Sequence, residues 1–109
     1  MVQGSGRMNR LIEEKRQELE LICRRRHVQR IELFGSATGP GFDPESSDLD
    51  FLVSFDDLEP NGHADAYFGL LEDLQGLFQR PVDLVVASAI RNPYFRQSIE
   101  STRTLVYAA

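Results

Sequence analysis

A single cysteine, Cys23, stands in a chain of 109 residues. One thiol excludes a disulfide framework and a Cys-rich zinc site, and it suits a reducing cytoplasm. No apolar run approaches the roughly 20 residues that span a bilayer. The opening MVQGSGRM has no apolar segment of the signal-peptide kind. Residues 1–7 read as a flexible Gly/Ser tail or an expression scar, and residues 8–109 as one domain. The most informative absence is positive charge. Residues 31–75 hold eleven acidic side chains and neither Lys nor Arg. The flanks are basic: residues 1–30 sum to +4 and residues 76–109 to +2, so the net charge of −5 hides a strong segregation. An acidic chain of this kind is a poor general binder of nucleic acid, because phosphate neutralisation needs Lys and Arg. A hydrophobic fraction of 41% excludes disorder of the chain as a whole.

What is present is patterned. Met8, Leu11, Ile12, Leu19, Ile22 and Cys23 recur at helical spacing and predict an amphipathic helix over 8–26. Arg24, Arg25 and Arg26 fall in its last turn, where cations complement the helix dipole. Residues 28–34 (VQRIELF) predict a short strand, ended by Gly35-Ser36 and followed by a Gly/Pro/Ser-rich loop over 37–47. Residues 48–55 predict the clearest strand. Leu49, Phe51, Val53 and Phe55 share one face, and Asp48, Asp50, Leu52 and Ser54 share the other. Asn61 is placed to cap a helix over 63–79 with an apolar stripe of Ala64, Tyr67, Phe68, Leu71, Leu74 and Phe78. Residues 82–87 predict a strand after Pro81. Asn92-Pro93 opens a helix to about Ser101, and TLVYAA could add a last strand. This order points to an α/β (α+β) fold, a small mixed β-sheet packed against helices.

Two carboxylates two residues apart on a strand, Asp48 and Asp50, project to the same side. Their backbone positions are about 6.6 Å apart. Such like charges repel unless a cation neutralises them, and a hard divalent ion such as Mg²⁺ prefers oxygen ligands. Asp83 lies in the apolar strand VDLVV, where an acid costs stability unless it is solvated, paired or metal-bound. Each acid has an ordinary alternative as a solvated strand residue. If the two strands are neighbours, all three face one site. An EF-hand is excluded, since DPESSDLD lacks its alternating ligands, glycine and terminal glutamate. Gly35-Ser36 ends the preceding strand and could offer backbone N–H groups and a hydroxyl to phosphate. His27 and His63 have no matching ligand cluster and read as surface or packing residues. Cys23 continues the apolar stripe of the first helix. Tyr94, Phe95 and Tyr107 read as packing residues, with a partner contact as the alternative.

Taken together, FGSATG, SDLDFLV and VDLVV resemble the minimal nucleotidyltransferases, a branch of the DNA-polymerase-β-like superfamily, over roughly residues 8–109. The closing RNPYFRQSIESTRTLVYAA is also similar to the C-terminal segment of that family. The resemblance implies that Gly35, Ser36 and Ser47 hold the nucleotide triphosphate. It implies that Asp48, Asp50 and Asp83 bind Mg²⁺, with two ions expected, and that Asp83 assists deprotonation of the acceptor hydroxyl. ATP is then the substrate. The implied partner is a HEPN-domain toxin carrying a tyrosine acceptor, with the chain acting as cytoplasmic antitoxin. Many relatives carry an Arg in the loop, as in GSxARG; here the stretch is ATGPG. Phosphate charge is then met by metal, backbone amides, or an Arg from elsewhere such as Arg80 or Arg91. Two other readings stand beside this one. One is an antitoxin that only binds its toxin, with a vestigial site. The other is nucleotidyl transfer to a small molecule, with the missing surface supplied by a homo-oligomer or a partner subunit.

Overall fold

Alternation of apolar and polar residues builds a four-stranded sheet whose two faces receive unequal cover. The computed structural model describes residues 10–35, 48–58 and 60–109. The tail expected over 1–7, Met8 of the expected first helix, and the 37–47 loop with Ser36 and Ser47 lie outside the described residues. Two short helices come first, α1 (Arg10–Glu14) and α2 (Arg16–Arg25). Then follow β1 (Val28–Phe34), β2 (Leu49–Phe55), α3 (Pro60–Phe78), β3 (Val82–Val86), a 3₁₀ turn over Ala87–Ala89, α4 (Pro93–Glu100) and β4 (Thr104–Ala108). The sheet order is β3-β2-β1-β4. β1 pairs antiparallel with β2 and β4, and β2 pairs parallel with β3. α3 makes the crossover that a parallel pair requires.

One face carries Ile31, Leu33, Leu49, Phe51, Val53 and Leu84 into a core with Ile12, Leu19, Cys23, Leu70, Leu74 and Phe78 of the first three helices. Phe51 and Phe78 stack with ring centroids 6.1 Å apart. Burial pushes the Cys23 thiol up to about 12, with help from Glu20, so it is a core residue and no nucleophile. The other face has a smaller cluster of Phe34, Leu52, Ile90 and Ile99, covered by the 3₁₀ turn and α4.

The expected helix over 8–26 is interrupted. Lys15 leaves helical geometry (φ −110°, ψ 13°), and its N–H donates to the Ile12 carbonyl at 3.1 Å, a three-residue turn. The apolar face survives the break because Ile12 and Leu19 are seven residues apart, close to two turns, and both are fully buried. α3 starts earlier than expected. Pro60 is its first residue, where the missing N–H is harmless, so Asn61 lies inside the helix and is not its cap. The apolar stripe also shifts. Ala66, Leu70, Leu74 and Phe78 form the buried line, while Ala64 and Phe68 are exposed, since a two-residue offset is about 200° round the helix. The Asn92 cap forms as expected, its Oδ1 accepting from the N–H groups of Tyr94 (2.8 Å) and Phe95 (3.3 Å). Among the described residues no helix is long and apolar enough to cross a membrane.

Charge pairing joins the segments. Asp73 of α3 accepts from Arg26 Nε at 2.7 Å and from Arg25 at 3.1 Å, tying the end of α2 to α3. Glu32, on the less covered face of β1, is the buried charged side chain among the described residues, 4% exposed. Arg103 grips it with two bonds, at 2.9 and 2.7 Å, and Arg30 adds a longer one. Burial pushes the Glu32 carboxyl up, but the bonds from Arg103 and Arg30 outweigh it and hold it below its ordinary value. The bond from Arg26 does the same for Asp73.

Two left-handed residues follow helices, His27 (φ 62°) and Gln79 (φ 57°). A side chain there costs energy that glycine avoids. Gln79→Gly is therefore expected to raise stability by roughly 0.5–1 kcal/mol in urea unfolding; an unchanged or lower midpoint would contradict it. Depressed carboxylates stabilise fully above their unfolded pKa of about 4 and lose that contribution as pH falls through the lower folded values. Unfolding midpoints should therefore drop below about pH 4. Glu32→Gln should flatten that dependence and cost about 2 kcal/mol at pH 7, because Arg103 loses its buried anion and keeps only the exposed Glu100.

Candidate active site

Three strand ends and the start of a loop make the site. β1 ends at Phe34, which pairs with Asp50 of β2, and Asp50 pairs with Asp83 of β3. Phe34, Asp50 and Asp83 thus form one row across three adjacent strands, spaced by about 4.8 Å per strand. Asp48 precedes β2 by one residue and shares the side of Asp50 by strand alternation. The fold therefore brings together the three acids singled out in the sequence. Their face is the less covered one, where Leu52 and Phe34 lie. Asp50 is half-buried, and Asp48 and Asp83 are exposed. Burial, then Asp83, then Asp48 push the Asp50 carboxyl above its ordinary value.

Gly35 follows Phe34 with φ 76°, in the left-handed region. A Cβ there would stand 2.6 Å from Asp50 Oδ2. Conformation and close approach both demand glycine at this position. The Gly35 N–H donates to Thr102 Oγ1 at 3.0 Å. Ser36 and Ser47, the other expected nucleotide-binding residues, lie outside the described residues.

The donor set is all carboxylate oxygen, which suits a hard divalent cation. Burial first, and then the Asp83 and Asp48 charges, disfavour the ionised Asp50, and a cation between these carboxylates would favour it again. Among the described residues, no three acidic, His or Cys side chains are already drawn close enough to form a metal cage. Closing on an ion would need rotamer changes, which are available to exposed side chains such as Asp48 and Asp83.

The two candidate arginines are placed differently. The Leu49 N–H donates to the Pro81 carbonyl at 3.3 Å, so the turn bearing Arg80 abuts the start of β2 beside Asp48. Arg80 Nε donates to the Phe78 carbonyl at 3.4 Å. Arg91 is exposed and stands just before the α4 cap. His63 lies edge-on to Phe55 with centroids 6.4 Å apart, a packing role as expected. Sequence reasoning missed two neighbours of the row. Phe95 meets Phe34 edge-on at 6.1 Å, and strand alternation already put Phe34 on this face. Thr102 reaches Gly35 from 67 residues away, and no local pattern signals such a contact.

Gly35 thus follows β1, Asp48 and Asp50 lie at the start of β2, and Asp83 lies on the adjoining parallel β3. The family model described as a nucleotidyltransferase domain matches residues 16–106, and the chain belongs to that family. More narrowly, it has the fold of the minimal nucleotidyltransferases. A solved structure provisionally named as one of these aligns with a TM-score of 0.68 at 28% identity, covering 92% of this chain and 97% of that one. A Methanocaldococcus jannaschii protein provisionally named a protein adenylyltransferase is 38% identical over 73 residues, 67% of this chain and 71% of the relative. A second, similarly named protein from that organism is 35% identical over 85 residues, 78% and 83% of the two chains. The fold also matches a structure of a tri-AMPylated Shewanella oneidensis HEPN toxin in complex with MNT antitoxin. The TM-score is 0.61 at 20% identity, with coverage of 90% of this chain and 73% of that one.

Gly35→Ala is expected to destabilise the protein by about 1–2 kcal/mol and to push the Asp50 carboxylate aside. Chemical denaturation reads the first effect; a midpoint equal to that of the unaltered protein would show that the left-handed turn at Gly35 is dispensable.

Proposed function

We propose that this chain is a cytoplasmic, Mg²⁺-dependent nucleotidyltransferase that moves AMP from ATP to a hydroxyl of a partner protein. The acceptor is a tyrosine of a HEPN-type toxin, and the modification silences it, so the chain is the antitoxin of a pair. The observation that carries this reading is the pairing of Asp50 with Asp83 on adjacent parallel strands, with Asp48 two residues away on the same side. Support also comes from the protein adenylyltransferase names of the two M. jannaschii relatives and from the AMPylated toxin and the AMP-PNP that occur in matching complexes.

Asp48, Asp50 and Asp83 would hold the metal, with two ions expected, which when bound neutralises the triphosphate and polarises the α-phosphorus. The acceptor oxygen forms a bond to that phosphorus, the bond to the β-phosphate bridge breaks, and pyrophosphate leaves with the electron pair. Asp83, on the edge strand and exposed, is placed to take the hydroxyl proton. The loop that begins at Gly35, with Ser36 and Ser47, would hold the phosphates. Arg80, in the turn beside Asp48, is the cation best placed to add charge there.

A second reading is an antitoxin that masks its toxin without modifying it. The observation that favours it is the stretch ATGPG after Ser36, which carries no Arg to meet phosphate charge. The test is transfer of label from α-³²P-ATP to the toxin. Asp50→Asn or Asp83→Asn is expected to cut transfer by at least about 10²-fold. Full neutralisation of the toxin by the Asp48/Asp50/Asp83 triple variant, with no label transferred by the unaltered protein, would establish masking instead.

A further inference from the structure

We infer that Thr102 is a positioning residue that latches the loop start at Gly35 and so holds the place of Asp50. The inference rests on the nucleotidyl-transfer reading of the site. Gly35 is tightly constrained: its φ is 76°, and its Cα carries no side chain because Asp50 Oδ2 occupies that space, 2.6 Å from where a Cβ would be. The carboxylate therefore rests against the Gly35 backbone, and a shift of Gly35 shifts the surface that Asp50 packs on.

Gly35 is held from the C-terminal segment by the Thr102 hydroxyl, which accepts the Gly35 N–H at 3.0 Å. The hydroxyl's own hydrogen points to the Ser98 carbonyl over a longer 3.5 Å contact. Its orientation is thus set from α4, leaving a lone pair for Gly35. Thr102 itself cannot drift. Its N–H donates to the Ile99 carbonyl at 3.0 Å, and the next residue, Arg103, makes the two bonds to buried Glu32. Glu32 and Gly35 lie three residues apart on and just beyond β1. Besides the β4 pairing, Thr102 and Arg103 therefore add two contacts to this part of the chain, one a buried ion pair to Glu32 and one a single hydrogen bond to Gly35. Valine keeps the branched outline of Thr102 and lacks its hydroxyl, so it separates this hydrogen bond from the bulk of the side chain.

A consequence concerns the triphosphate. A backbone N–H offers one hydrogen, and that of Gly35 points at Thr102. The Gly35 amide hydrogen is therefore directed at Thr102 rather than at a triphosphate oxygen, and Gly35 contributes through its left-handed backbone against Asp50.

The test compares Thr102→Val, which keeps the shape and loses the acceptor, with Thr102→Ser, which keeps the acceptor. Three measurements are made on the full chain: Gly35 amide hydrogen exchange by NMR, thermal midpoint, and AMP transfer to the toxin with kcat and KM separated. Thr102→Val is expected to speed Gly35 exchange at least about tenfold and to lower kcat at least about tenfold, with Thr102→Ser within about threefold of the unaltered protein on both. Both variants should remain fully folded at the assay temperature, with the Thr102→Val midpoint lower by no more than one lost hydrogen bond accounts for, so the loss of rate is not one of unfolding. Unchanged Gly35 exchange in Thr102→Val overturns the latch. Faster exchange with unchanged kcat overturns its positioning role. Absence of transfer by the unaltered protein refutes the proposed function, and with it the positioning role, while the exchange measurement still decides the latch.

Discussion

Glu32 is a charge that the sheet buries, and Arg103 is what makes that tolerable. An isolated carboxylate at 4% exposure would neutralise or unfold its surroundings. Two bonds from one guanidinium, with a third from Arg30, hold it ionised. The partner comes from the far end of the chain, so the pair also decides where the C-terminal segment lies. With Arg103 fixed, α4 covers Phe34 and Leu52, Thr102 reaches Gly35, and β4 continues along β1. A partly buried pair of this kind contributes little net stability compared with apolar packing. Its value here is placement.

The charge segregation of the sequence takes on a structural meaning through the same pair. The acidic middle of the chain is not left as one field. Glu32 is met by Arg103 from the C-terminal flank, and Asp73 by Arg25 and Arg26 from the N-terminal flank. Cations from both ends of the chain fold over the acids between them. Asp50 has no such partner among these pairs, and burial, then its neighbours Asp83 and Asp48, push its carboxyl up. The fold thus relieves negative charge at Glu32 and Asp73 and leaves it gathered at the row of Asp48, Asp50 and Asp83.

Much of this was legible in the residues. Period-two alternation over 49–55 named both faces of β2, and the same rule set Asp48 and Asp50 on one side. The Asn92-Pro93 pair marked the start of α4 because the cap is chemistry of adjacent residues. The neighbourhood of Asp50 and Asp83 depended on an assumption about strand order, which the parallel β2–β3 register supplies. Other features had no local signature. The break at Lys15 leaves the seven-residue spacing of Ile12 and Leu19 intact, so periodicity is blind to it. Phe68 suits a helical stripe by hydrophobicity alone, and only its offset from the Ala66–Leu70–Leu74 line shows that it faces out. Glu32 reads as the polar member of an alternating strand until Arg103 closes over it, and Thr102 is an ordinary threonine until Gly35 comes within 3.0 Å.

The row of Phe34, Asp50 and Asp83, with Thr102 behind it, draws on positions spread across most of the chain. Asp50 and Asp83 become neighbours only after α3 has crossed the sheet, and Gly35 is fixed only when the segment after α4 has docked on β1. Contacts of such sequence separation form late and slowly compared with those inside a helix. During synthesis, the first helices, β1 and β2 emerge from the ribosome without the residues that complete the site. A chain interrupted before Thr102 holds the paired acids but not the arrangement around them. The surroundings of the three acids are therefore completed only when residues as far as Thr102 have docked on β1.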